Sequence, residues 1–331
     1  MQPSSRVLHG ARRLTLWAAA LVLAGCSTLN PLIPQTVELR TDWPAGVPRA
    51  VELAQVPFFP QDEFQCGPAA LAMALSYTGA RTRPEALVDD VWLPARRGSL
   101  QLEMLATPRR HARVSYRLAP RYADLLREVA AGNPVIVLQD VGPLLTQWHY
   151  AVVNGFDYDA GTILLRSGLQ VRQQMSFTAF ERTWIPGGHW AMVVTAPDRI
   201  PVTATEERWL EALLGLARSG NADATVQAYA AALRRWPDSL PAAVGLGNHL
   251  HARGSLAEAA AVLRTALQKH PRSIIVLNNL AQTLSDQGRH AEALALIRRA
   301  DDPQSPFAGE VRATRQLIEE RMRGARSPSA S

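Results

Sequence analysis

The stretch Gln65-Cys66-Gly67-Pro68-Ala69-Ala70-Leu71-Ala72-Met73-Ala74-Leu75-Ser76-Tyr77-Thr78-Gly79 decides how the first half of this chain folds. Small and apolar residues recur at helical spacing, Pro68 falls in the first turn, and Gly79 follows the end, which predicts a helix over Cys66–Tyr77. Cys66 then stands at the helix N-terminus, where unpaired N–H groups and the helix dipole favour a thiolate. The chain has only one other cysteine, Cys26. An unpaired thiol is a liability in an oxidising compartment unless its reactivity is used.

Downstream of that helix, the pattern predicts helical pieces at Arg83–Val91, Ser99–Ala106 and Tyr122–Ala131, then strands at Pro134–Gln139, His149–Asn154 and Thr162–Arg166. The last two strands are joined by a hairpin-like connection, Gly155 to Gly161. A short helix at Met175–Trp184 and a strand at Trp190–Thr195 complete an α+β domain of helices packed on an antiparallel sheet, residues 51–198. Upstream, Asn30–Pro48 holds four prolines and no period, so residues 26–50 are read as an extended tether, with a lead-in strand near Val51–Val56.

The first residues carry Arg6, Arg12 and Arg13, an apolar run from Leu14 to Leu23, and small residues up to Cys26. This is the layout of a secretory signal over residues 1–25, too short in its apolar part for a spanning helix. Leu23-Ala24-Gly25-Cys26 resembles the lipobox of bacterial lipoproteins, which implies cleavage before Cys26 and acylation of that cysteine. Ser27 rather than Asp in the next position favours the outer membrane, with the periplasm as the expected side. The formal charge of +6 falls to +3 after processing, 32 basic against 29 acidic residues, and is spread along the chain, so no nucleic-acid partner is expected.

Beyond a linker at 199–205 the texture changes to long Ala/Leu/Arg segments. Gly220, Gly254 and Gly288 are spaced by 34 residues, as are Pro237 and Pro271, Ala259 and Ala293, and Ala232, Ala266 and Ala300. That period is the tetratricopeptide signature and predicts an all-α repeat domain over residues 206–323, with a cap helix at Ala308–Met322 and a disordered tail at 324–331. Such arrays hold a partner protein or peptide in a concave groove.

The tract from Pro57 to Met73, including Gln61 and Cys66, followed by His149-Tyr150-Ala151-Val152-Val153-Asn154-Gly155-Phe156-Asp157, resembles the bacteriocin-processing, double-glycine-leader cysteine peptidases, which are papain-like. The resemblance covers Val51–Ala196. It implies Cys66 as nucleophile, His149 as general base and Gln61 as the oxyanion-hole amide, with a cleft admitting Gly-Gly. The residues read the same way: Gln61 lies five positions before Cys66, near enough to turn back beside it, and His149 opens a strand, where a sheet presents a base. Gln65 competes with Gln61, and His189 with His149; His111 lies among arginines on a solvated face.

The family places an Asp on the strand after the histidine, but here that strand reads Leu164-Leu165-Arg166-Ser167-Gly168. Guanidinium only donates, so Arg166 cannot orient an imidazole, whereas the Ser167 hydroxyl accepts a hydrogen bond without supplying charge. Asp157 or Asn154 would serve only if the hairpin folded back. The readings are therefore a dyad oriented by Ser167, a relocated acid, or a weakened peptidase. No metal cluster, phosphate loop or other cofactor site is expected. The function read from the sequence is a membrane-anchored cysteine peptidase whose repeats recruit substrate or partner. An acyl transferase and an inactive, peptide-binding scaffold in an envelope assembly are the alternatives.

Overall fold

The computed structural model describes residues 33–61, 65–93 and 98–326. Cys26 and the signal segment lie outside these residues, as does the end of the tail from 327 on. Helix α1 (Pro34–Thr41) and strand β1 (Ala50–Glu52) lead to helix α2 (Cys66–Tyr77), the helix read from the opening stretch. Gly79 follows at φ +85°, a left-handed turn that a β-carbon would strain. A 3₁₀ turn (Pro84–Leu87) and α3 (Val88–Val91) precede a small ribbon of β2 (Trp92–Leu93) and β3 (Gly98–Ser99). Then come α4 (Gln101–Arg110), β4 (Val114–Arg117), α5 (Tyr122–Ala130), β5 (Val135–Asp140), β6 (Trp148–Asp157), β7 (Thr162–Ser167), β8 (Gln170–Ser176), α6 (Phe177–Trp184) and β9 (Ala191–Thr195).

The main sheet is antiparallel throughout, in the order β4-β9-β5-β6-β7-β8, with β1 pairing the far end of β6. Its two faces are covered differently. Tyr150, Val152, Ile136, Leu138 and Met192 pack under α2, whose residues from Gly67 to Leu75 are all buried. Ala151, Val153, Val135, Val137, Ile163 and Leu165 pack under α5 and α6. A strand that buries both faces reads as a continuous apolar run, which is why β5 and β6 were legible and the polar edge strand β8, Gln170-Val171-Arg172-Gln173-Gln174-Met175-Ser176, was not. β4, four residues long, was missed as well.

The expected extended tether is corrected by α1. Its first turn has no side-chain cap of its own; instead the N–H groups of Gln35 and Thr36 donate to the two carboxylate oxygens of Glu181, at 3.0 and 2.6 Å. Glu181 is fully buried on α6, 145 residues away, and Thr36 and Leu39 bury against the sheet domain. A negative group at a helix N-terminus stabilises it, but a cap supplied from so far along the chain leaves no local pattern.

The repeat domain is built of antiparallel pairs: α7 (Glu206–Ala217) with α8 (Ala222–Arg235), α9 (Leu240–Ala252) with α10 (Leu256–Lys269), and α11 (Ile274–Asp286) with α12 (His290–Ile297). Helix α13 (Ala308–Arg326) caps the stack and continues three residues into the segment expected to be disordered. Gly220, Gly254 and Gly288 all have φ near +80° and open space around the Cα, so the 34-residue glycines are turn residues rather than packing contacts. Among the described residues, no helix is long and apolar enough to cross a membrane.

The two domains share one hydrophobic core. Trp209 of α7 is fully buried and lies 6.2 Å from Tyr116 of β4, ring centre to ring centre. The linker is pinned by the buried carboxylate of Glu128, which accepts from the N–H and hydroxyl of Thr203 at 2.7 and 2.6 Å. The Arg109 carbonyl at the end of α4 accepts from Asn221 Nδ2 at 2.6 Å and Ser219 Oγ at 3.0 Å.

Candidate active site

A cleft of about 1030 Å³ opens where α2, the start of α4 and the β5–β6 end of the sheet meet. Gln61, Cys66 and His149, distant in sequence, all line it, together with Ser99, Leu138, Trp148, Tyr150 and Gly187. Cys66 begins α2, and the backbone N–H groups of Tyr150, Gly67 and Cys66 itself draw its thiol pKa down. Burial outweighs them and pushes the thiol up. The pull of the helix-terminus N–H groups read from the sequence is present, and desolvation of the charged form opposes it. His149 is shifted down, also by burial. Both shifts have burial as their largest cause, which disfavours the charged form of each group.

His149 lies at the start of β6 and Ser167 at the end of β7, antiparallel neighbours in the sheet. The imidazole Nε2 is 2.9 Å from the Ser167 hydroxyl, which is 8 % exposed. Gly168, at φ +57°, turns the chain immediately after Ser167, and its carbonyl accepts from the Gln61 N–H at 3.2 Å. The segment bearing the imidazole's partner is thus tied to the segment bearing Gln61. The Gln61 side chain is 9 % exposed, and among the described residues neither of its amide atoms has a partner. A buried amide left unsatisfied in a cleft fits a donor that meets its acceptor only when a ligand is present.

The other candidates are not brought to this site. Asp157 closes the opposite end of β6, eight residues or roughly 26 Å from His149, and its carboxylate caps the hairpin by accepting from the Ala160 N–H at 2.9 Å. Asn154 donates to the Leu53 carbonyl at 3.4 Å. Gln65 sits at the N-cap of α2 outside the cleft lining, and His111 ends α4. His189, at φ +53°, packs edge-on against Trp184 at 4.8 Å and does not line the cleft. Arg166 points to the other side of β7 from Ser167, and donates to the carbonyls of Ala54, Val56 and Val171, holding the chain that leads to Gln61.

Sequence reasoning missed Ser99. A β-carbon on Gly67 would come within 2.6 Å of the Ser99 Cβ, so the glycine after Cys66 is demanded by the close passage of β3. The only sequence signal was Gly67 itself, which sits in the first turn of a helix where glycine is otherwise unfavourable. Also unforeseen is a row of amides on the repeats: Asn279 Nδ2 of α11 donates to Asn248 Oδ1 of α9 at 2.7 Å, and Asn278 Nδ2 to Asn279 Oδ1 at 3.2 Å.

Comparison with known proteins agrees with this architecture. Residues 53–192 match the Peptidase_C39 like family, and residues 210–274 and 250–313 match two tetratricopeptide repeat models. No curated protein matches the chain. Among solved structures, it is similar to a C39-like peptidase from Bacillus anthracis (19% identity, 45% of this chain and 98% of that one, TM-score 0.38). It is also similar to a double glycine motif protease from an AMS/PCAT transporter in complex with the leader peptide (22% identity, 43% and 91%, TM-score 0.33). A third similar structure is Pseudomonas aeruginosa pilF (24% identity, 36% and 54%, TM-score 0.34). The chain is thus a C39-like peptidase domain joined to a tetratricopeptide repeat array.

Proposed function

We propose that this chain is a cysteine peptidase anchored in the bacterial envelope through Cys26, cleaving a peptide or protein substrate with Cys66 and His149 while the repeats recruit substrate or a partner. The observation that carries the reading is the convergence of Cys66, His149 and the unpartnered Gln61 amide on one cleft. With Ser167 accepting a hydrogen bond from Nε2–H, the neutral imidazole keeps its Nδ1 lone pair free. As Cys66 Sγ attacks the scissile carbonyl, its proton passes to that nitrogen and the S–C bond forms. The charge developing on the carbonyl oxygen is met by Gln61 Nε2–H and the Cys66 backbone N–H. Collapse breaks the C–N bond, the imidazolium returns its proton to the leaving amine, and water then hydrolyses the thioester.

Among the described residues the partner of His149 Nε2 is the Ser167 hydroxyl and not a carboxylate, which favours a second reading, in which the cleft binds a peptide without turnover and the repeats scaffold an envelope assembly. Both readings are separated by incubating the full chain with a peptide mixture and sequencing new termini by mass spectrometry. Cleavage that disappears in Cys66→Ala establishes the peptidase, and products capped by an added amine would identify a transferase. Retention of intact peptides by wild type and Cys66→Ala alike would overturn hydrolysis and leave the scaffold.

A further inference from the structure

Helix α4 runs from the cleft to the repeats. Its first residues, Gln101 and Leu102, line the cleft with Leu100. Met104, in the same turn, is fully buried, its sulfur 3.3 Å from where a β-carbon on Gly67 would stand, so α4 packs directly against the start of α2. At the other end, roughly 12 Å along the helix axis, the Arg109 carbonyl accepts from Asn221 Nδ2 at 2.6 Å. A helix of ten residues moves as a unit, so whatever holds Arg109 also holds the residues at the cleft.

The first repeat departs from the other two at the residues that make this contact. Thirty-four residues on from Gly215 stand His249 and then Thr283, and from Asn221 stand Ser255 and then Arg289. Glycine is disfavoured in a helix interior. A β-carbon on Gly215 would nevertheless come within 2.3 Å of the Arg109 Cζ, so the glycine opens the slot in which the guanidinium lies. Arg109 Nε in turn donates to Ser115 Oγ of β4 at 3.0 Å, and that hydroxyl donates to the Leu105 carbonyl at 2.6 Å, tying the slot to the middle of α4. Asn221 is the N-cap residue of α8, yet its side chain bonds none of that helix's N–H groups. Both hydrogens of Nδ2 are used elsewhere, one on the Arg109 carbonyl and one on Ser219 Oγ at 3.0 Å.

We infer that Asn221, with the Gly215 slot beside it, is a positioning residue of the cleft: the first repeat holds α4, and through it sets the distance of the Leu100–Leu102 wall from Cys66. The inference rests on the peptidase reading and deepens it, because the repeats then shape the substrate site as well as recruiting to it. Cys66, His149 and Gln61 stand on other elements, so the contact bears on substrate binding rather than on the chemical step.

The test uses the full chain and two variants. Asn221→Asp keeps a favoured N-cap residue and the side chain's shape but sets an acceptor against the Arg109 carbonyl, and Asn221→Ala removes the donor without adding charge. In both, hydrogen exchange over residues 100–108 should quicken, and the KM for a cleaved peptide should rise by up to about tenfold, the worth of one hydrogen bond. Both kcat and Tm should change little, since the Ala112 N–H still pairs with the Arg109 carbonyl at 3.1 Å. Should the wild type cleave no peptide, the peptidase reading falls on its own, and the exchange comparison still decides the inference. Unchanged exchange over residues 100–108 in both variants overturns it. So does a fall in kcat at constant KM, or faster exchange spread over the whole chain with a lowered Tm, which would make the contact merely structural.

Discussion

His149 Nε2 and the hydroxyl of Ser167 face each other at 2.9 Å across adjacent strands of the sheet, where a carboxylate would complete a charged triad. A hydroxyl holds the ring in place but, being donor as well as acceptor, leaves its tautomer open and brings no charge to stabilise an imidazolium. Ser167→Ala is accordingly expected to lower kcat by up to about tenfold, the worth of one neutral hydrogen bond, with KM little changed. Steady-state kinetics on a cleaved peptide decide it: a variant as active as wild type would remove Ser167 from the mechanism.

Burial lowers the pKa of His149, so the acidic limb of kcat/KM in the wild type should fall below the ordinary imidazole value of about 6.5. Ser167→Asp places a negative charge against Nε2, favours the protonated ring, and should move that limb to higher pH. A limb that stays put in Ser167→Asp would mean that the ionisation seen in the rate is not that of His149.

Because burial pushes the Cys66 thiol up, alkylation of the free protein by iodoacetamide should show a midpoint above the ordinary thiol value of about 8.5. His149→Ala should leave that midpoint nearly unchanged, since burial and backbone N–H groups, and not the imidazole, set the shift. A midpoint well below 8.5 that rises in His149→Ala would reveal a preformed thiolate–imidazolium pair and overturn the dominance of burial at Cys66.

Gln61 offers a way to separate catalysis from stability. Gln61→Ala removes the proposed oxyanion donor and should cost about 2.7–4 kcal/mol of barrier, a drop of roughly 100- to 1000-fold in kcat. The same change deletes a buried amide with no partner among the described residues, so thermal stability should hold or rise slightly. Loss of Tm together with loss of rate would assign Gln61 a structural role instead.

Glu181 should be as important to α1 as any residue within that helix. Glu181→Gln weakens two charge-assisted bonds to the N–H groups of Gln35 and Thr36 and should destabilise the fold by about 1.5–3 kcal/mol, with earlier proteolytic nicking between residues 33 and 49. Limited proteolysis followed by mass spectrometry shows whether cleavage shifts to that segment.

Much of this was legible from sequence. The helix Cys66–Tyr77, the strands around His149 and the repeat period are written in local spacing: Pro68 and Gly79 punctuate one element, and Gly220, Gly254 and Gly288 mark the repeats. Gln61, Cys66 and His149 were each singled out by residue type and position, and each lines the cleft. Ser167 stood there as one of several possible partners, beside Asp157 and Asn154.

What sequence alone determined is therefore whatever depends on periodicity within some 30 residues: the types of the long helices and apolar strands, and the repeat period. Tertiary structure decided the rest, because pairings between distant residues and the solvation of a charge depend on neighbours that no local pattern records. Antiparallel register put Ser167 rather than Asp157 beside His149. A carboxylate 145 residues away turned the expected tether into a helix. Burial in the assembled cleft, competing with the N–H groups at the start of α2, pushes the Cys66 thiol pKa up.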